Sequence, residues 1–168
     1  LFLQQHDVST AFAARIYKQY GNDSIRKMRE NPFQMADDIW GIGFRTADRI
    51  AVKLGFGKEA YVRLRSGIMY TLSELADEGH VYAETEKLIE KASALLEAED
   101  CSIVMTMDQM LKNRDLIQEG EAVYLPPFYY AELGVANKLT RLAGQPAGDR
   151  LWTRLEKARR ETGNAKLS

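Results

Sequence analysis

Apolar positions along this chain recur at helical spacing for most of its length, and the places where that spacing breaks divide it into elements. Ala47, Ile50 and Leu54 fall three and four apart on one helical face, and Ile42 stands before them as an apolar plug between Gly41 and Gly43. Leu64, Ile68, Leu72 and Leu75 mark a long amphipathic helix that Gly79 stops. Residues 80–83 are then expected as a short strand. Thr85 is the expected cap of a helix holding Leu88, Ala92, Leu95 and Leu96, and residues 103–112 form another helix. Residues 115–118 and 122–125 flank Glu119, Gly120 and Glu121 as a small hairpin. Helices over 129–142, after Pro126 and Pro127, and over 149–162, with Leu151, Trp152 and Leu155 inward, complete the pattern. Helix, strand, helix, helix, hairpin is the order of a winged helix.

The front of the chain repeats itself. A shift of 34 residues lays Ala13, Arg15, Ile16 and Gly21 on Ala47, Arg49, Ile50 and Gly55, with Val8 on Ile42. Tetratricopeptide repeats share that period, but their Trp, Gly, Tyr and Ala pattern is absent and only two copies occur. In the first copy Asp7 and Ser9 hold the places of Gly41 and Gly43. A carboxylate there would repel an anion, so the first copy is expected to be structural or a weaker binder. Between the copies, Asp23 is expected to cap a helix over residues 24–30, with Ile25 and Met28 as apolar positions and Asn31 and Pro32 as its end.

The second copy carries the candidate chemistry. Glycines 41 and 43 are expected to take backbone angles closed to other residues and, lacking Cβ, to let an anionic group approach main-chain N–H groups. Arg45 and Thr46 fall in the first turn of the following helix, where unpaired amides and the positive end of the helix dipole favour a phosphate. Arg49 and Lys53 lie four apart and share a face. The stretch from Asp38 to Gly55 resembles the helix-hairpin-helix motif: apolar, Gly, apolar, Gly, three variable residues, Ala and a later Ile. Gly41, Ile42, Gly43, Arg45, Thr46, Arg49 and Lys53 are therefore the expected DNA-backbone contacts. Two other readings stand beside this one. A Gly-x-Gly turn can be only a tight connection between helices. A dinucleotide-binding turn needs a third glycine and a preceding strand, and neither is present.

Composition adds limits. The average net charge of −1 gives nucleic-acid binding no support, but its distribution does: residues 1–66 carry 11 Lys plus Arg against 7 Asp plus Glu, and residues 67–168 carry 12 against 17. The basic excess falls in the half with the glycine turn. No run is long and apolar enough to cross a membrane, and no signal peptide is visible, so a membrane partner is not expected. Cys101 is the single cysteine, which excludes an internal disulfide and a Cys-based zinc cluster and agrees with a cytoplasmic setting. His6 and His80 lack metal-ligand neighbours and read as turn or helix-end residues, and Cys101 lacks a base partner. DNA glycosylases also use a helix-hairpin-helix, but residues 58–66 offer Glu59 and no Asp for their chemistry. Residues 103–112 lack the Arg, Asn or Gln array that base readout needs and suit packing or a protein contact better than a DNA groove. No G-x-x-x-x-G-K-[ST] loop occurs, so no cofactor is expected on this chain and no ATP hydrolysis by it alone.

Taken in order, DDIWGIGFRTADRIAVKLG, RSGIMYTLSELADEGHVY and GEAVYLPPFYYAE resemble the N-terminal region of bacterial RecD-like ATP-dependent DNA helicases, in the long forms that carry helix-hairpin-helix units ahead of the motor. The resemblance implies a parent protein of helicase superfamily 1 moving 5′ to 3′ on single-stranded DNA in repair or recombination. It implies that ATP and magnesium are used by domains after this one, and that the motor domains of the same polypeptide are partners along with DNA. Leu1 falls inside an apolar run, and Leu167 and Ser168 match a pair that precedes the adenine-recognising glutamine of the family, so the chain is expected to be a piece ending at the motor's threshold. The expected fold is mainly α: a tandem helix-hairpin-helix unit over 1–58, a winged-helix-like module with a small β-hairpin over 59–144, and a linker from 145 with a helix to 168 leading to the motor.

Overall fold

A computed structural model describes residues 10–143; the expected first hairpin around Asp7 to Ser9, His6, and everything from the linker at 145 onward lie outside the described residues. The described residues through Tyr129 form one compact unit, and those from Tyr130 onward belong to a second.

The first unit opens with α1 (Thr10–Tyr20), a single 3₁₀ turn (Gly21–Asp23), α2 (Ser24–Glu30), α3 (Gln34–Asp38) and α4 (Phe44–Lys53). The internal repeat is visible in three dimensions. Ile16 and Ile50, one repeat apart, are both buried in a single cluster with Met28, Met35, Ile39 and Ile42, and Gly21 and Gly55 both follow their helices at positive φ. After α4, Phe56 N donates to Ala51 O and Gly55 N to Val52 O, the bond pair that closes a helix through a left-handed residue.

Asp23 does not cap α2 as expected. It lies in the 3₁₀ turn with no side-chain cap bond, and its carboxylate pairs with Arg26 at 3.2 Å, while Ser24 Oγ donates to Gly21 O. The 3₁₀ turn already supplies acceptors to the start of α2, so the carboxylate is released to the surface. Asn31 ends α2 in an extended conformation, and its Oδ1 accepts from Phe33 N at 3.1 Å.

The rest of this unit is a winged helix in order and pairing: α5 (Tyr61–Asp77), β1 (Ala83–Glu84), α6 (Thr85–Leu96), α7 (Asp100–Lys112), β2 (Ile117–Glu119) and β3 (Ala122–Tyr124). The sheet is antiparallel with β3 central, pairing Ala83 with Val123 on one side and Gln118 with Val123 on the other. The expected strand over 80–83 shrinks to Ala83 and Glu84, because His80 N still donates to Leu75 O in closing α5 and the strand begins only where β3 is alongside. Thr85 is not a cap either. It is the first residue of α6, and its amide and hydroxyl both donate to Glu121 O at 2.9 Å, pinning the helix start to the hairpin tip.

One core runs through α5, α6, α7 and the sheet, built on Leu64, Ile68, Leu88, Leu96, Ile103 and Met110, and it continues into α4 through Phe44, Ala47 and Ala51. The core is thus shared across position 58. α7 turns Ile103, Met107 and Met110 inward, which accounts for two of its three methionines as packing, while Met105 stays exposed. α8 (Pro126–Ala143) follows β3 and starts on two prolines, which a first helical turn tolerates because its N–H groups lack intrahelical partners anyway.

Candidate nucleic-acid interface

The glycine turn is built by four residues. Ile42 N donates to Ile39 O at 3.0 Å, and Gly41 takes φ +84 as the third residue, which is the geometry of a type II β-turn and strains any side chain there. Ile39 and Ile42 are both buried, so the turn is nailed to the small core at both ends while Trp40 and Gly41 between them stay exposed.

Gly43 departs from expectation. Its φ of −86 and ψ of 171 are ordinary extended backbone, open to any residue. What its missing Cβ supplies is room: a Cβ built there would meet nothing within 4 Å. Gly43 is the N-cap of α4, its carbonyl accepts from Thr46 N and Ala47 N, and no side chain caps the helix. Among the described residues the amides of Gly43, Phe44 and Arg45 therefore have no acceptor. They stand at an open helix N-terminus, where the backbone partial charge is positive.

The cations of the expected set are exposed but not equivalent. Arg49 and Lys53 lie on the outer face of α4, and Thr46 is half-buried in its first turn. Arg45 leans toward α5. Tyr70 donates to Glu74 Oε1 at 2.6 Å, and this bond, with burial and the Glu74 charge adding to it, holds the Tyr70 phenol above its ordinary 10.0, while Arg45 opposes the shift by its charge and a hydrogen bond. Arg45 is thus directed toward Tyr70 on α5.

Sequence reasoning missed Arg15. Its Nη1 donates to Trp40 O at 3.5 Å and lies 2.7 Å from where a Cβ on Gly41 would stand. The first copy of the repeat therefore sends its own arginine onto the turn of the second. The 34-residue shift that pairs Arg15 with Arg49 carried the signal, since two copies packed on one core bring their helices together. Also missed was Arg63, 5% exposed, whose Nε and Nη2 reach Asp48 at 2.7 and 2.9 Å while Nη1 donates to Lys58 O and Leu96 O, both at 2.9 Å. It bolts α4 to α5 and to the end of α6.

A cleft of about 270 Å³ opens at Gly43, lined by Phe44, Arg65, Ser66, Met69 and Tyr70. Its aromatic wall is a stack, Phe33 on Phe44 at 5.7 Å and Phe44 on Tyr70 at 5.1 Å. Elsewhere the chemistry is sparse. Among the described residues no group of three His, Cys, Asp or Glu could hold a metal ion, and no helix is long and apolar enough to cross a membrane. Cys101 is exposed, with Sγ 3.4 Å from Glu99 Oε2.

A buried apolar plug, a left-handed glycine, a bare N-cap and a helix with Ala and Ile inward make up a helix-hairpin-helix turn. The family comparison agrees: residues 1–82 match the family described as the ATP-dependent RecD2 DNA helicase HHH domain. This stretch is a helix-hairpin-helix region of the RecD2-like helicase family. The matched residues run through α5 and stop at Tyr82, just before β1, so the RecD2 match takes in the helices that share the core across position 58.

Proposed function

We propose that residues 41–46 grip the sugar-phosphate backbone of DNA without reading its sequence, and that the RecD2-like region does this for an ATP-dependent motor elsewhere in the same polypeptide. The observation that carries the reading is the uncapped start of α4, where the amides of Gly43, Phe44 and Arg45 have no acceptor among the described residues and a Cβ on Gly43 would meet nothing within 4 Å. A phosphate oxygen there accepts backbone N–H bonds at the positive end of the helix dipole. Arg15, Arg49 and Lys53 add cations at the rim, and Arg45 contributes from the side. Nothing at the turn offers the fixed donor and acceptor array that base edges require. In this proposal the motor, using ATP and magnesium, supplies 5′ to 3′ movement in cytoplasmic repair or recombination, residues 1–58 hold the strand, and residues 59–144 brace them.

A second reading, a surface for protein contact without DNA, is favoured by α8, where Tyr130, Leu133, Val135, Leu139 and Leu142 are all exposed. The two separate by the salt dependence of binding to a labelled oligonucleotide. With about three phosphates neutralised, the log–log slope for a single strand is about −2, and Arg49→Ala reduces its magnitude by about 0.7. Absence of salt-dependent binding between low and moderate salt refutes the DNA-binding reading.

A further inference from the structure

Trp40 is 92% exposed, the most exposed large hydrophobic side chain among the described residues. It is the second residue of the type II turn, between the buried Ile39 and the left-handed Gly41, so its backbone is fixed while its ring stands in water. Arg15 holds its carbonyl at 3.5 Å, which places a guanidinium on the same turn. Three peptide units separate Trp40 from the open amide of Gly43, a span of at most about 11 Å. An aromatic plane, a cation and unpaired amides therefore share one exposed tip.

We propose that Trp40 is a stacking platform for an unpaired base, so that the hairpin selects single-stranded or frayed DNA over intact duplex. The inference rests on the backbone-binding reading above and adds the nucleic-acid class. Every base has an apolar π-face, so stacking on an indole is tolerant of sequence, in keeping with a site that has no base-edge readers. In a duplex both faces of each base are covered by neighbours, and Trp40 gains a partner there only by unstacking a step. The phosphate on the α4 amides and the base on Trp40 would belong to the same stretch of strand, with Arg15 between them. Among the described residues, a full-sized aromatic ring kept in water at the tip of a well-anchored turn has no packing role to account for it.

The test uses the whole 168-residue chain with Trp152→Phe, leaving Trp40 as the single tryptophan. Its fluorescence is followed while adding a short thymidine strand, an abasic strand of the same length, or a duplex of that length. The expected result is strong quenching by the thymidine strand, with the abasic strand bound in a salt-dependent way but without quenching and the duplex quenching far less at saturation. In a parallel anisotropy measurement, Trp40→Ala weakens thymidine-strand binding by about five- to a hundredfold, leaves abasic binding unchanged, and Trp40→Phe restores part of the loss. Thymidine-strand affinity unchanged by Trp40→Ala, or duplex quenching equal to that of the single strand, overturns the inference while leaving the backbone grip intact. Failure of the abasic strand to bind in any salt-dependent way overturns both.

Discussion

Gly43→Asp should separate the function of the turn from its folding, because the two respond with opposite sign. Position 43 is an N-cap in extended conformation with empty space where a side chain would project. Aspartate is among the preferred N-cap residues, so it fits there without strain. Its gain over glycine is a few tenths of a kcal/mol from capping and about 0.3–1 from its charge at the positive helix end. The variant should be about 0.5–1 kcal/mol more stable and melt about 2–4 °C higher. The same carboxylate would occupy the place of the phosphate. It takes up the amides of the first turn, and at about 5 Å from a docked phosphate it adds about 1–3 kcal/mol of repulsion for an effective dielectric between water and a protein surface.

The combined loss is at least about 2 kcal/mol, or about thirtyfold in affinity. Fluorescence anisotropy with a labelled single strand at low salt reads the binding, and a thermal melt of the same preparation reads the fold. Binding equal to the unmodified chain with an unchanged or higher melting temperature refutes the placement of the phosphate. A melting temperature lowered by several degrees refutes the open N-cap geometry instead.

Two further outcomes follow from contacts behind the turn. Arg63→Met leaves the half-buried Asp48 carboxylate and the Lys58 and Leu96 carbonyls without their donor, and should cost about 3–5 kcal/mol, about 10 °C or more in a melt, with Asp48→Leu/Arg63→Met recovering part of it; a loss under 1 kcal/mol refutes the bolt. Tyr70 has its folded phenol held above 10.0, so its contribution is present in full below pH 10 and is lost as pH rises through the higher folded value; denaturation midpoints across that window should fall less steeply for Tyr70→Phe, and equal slopes refute the assignment.

Much of the architecture was legible because it is written in periodicities that depend on nearby residues. Ala47, Ile50 and Leu54 announced α4, and the 34-residue echo announced a paired unit whose Ile16 and Ile50 now share one cluster. The winged-helix order was readable from where helical spacing gave way to Gly79 and to Gly120. What failed was capping. Asp23 and Thr85 are good cap residue types, but a 3₁₀ turn before α2 and the carbonyl of Glu121 beside α6 had already satisfied those helix starts. A sequence window does not contain residue 121 when residue 85 is being read. The same limit hid Arg15 at the turn and Arg63 under it, since both act on partners 25 and 15 residues away. Gly43 does stand beside the turn, but without the unusual backbone angles expected of it. Its φ is ordinary, and a Cβ there would meet nothing within 4 Å, which leaves unfilled volume beside the uncapped helix start.

That volume is useful only if the amides stay where they are, and α4 explains why they do. One side of the helix enters the small cluster through Ile50, and another enters the larger core through Phe44, Ala47 and Ala51. The Asp48 to Arg63 pair then fixes its middle, and the Phe33, Phe44 and Tyr70 stack fixes its first turn against α5. A helix held on three sides cannot fray at its N-terminus as an exposed one does, so the unpaired N–H groups remain parallel and pre-aimed. The proposed phosphate contact would therefore need little reorganisation, which is where much of the free energy of association is otherwise lost. The price is a helix start without a cap, and the sharing of the larger core between α4 and the winged helix is what lets the fold bear it.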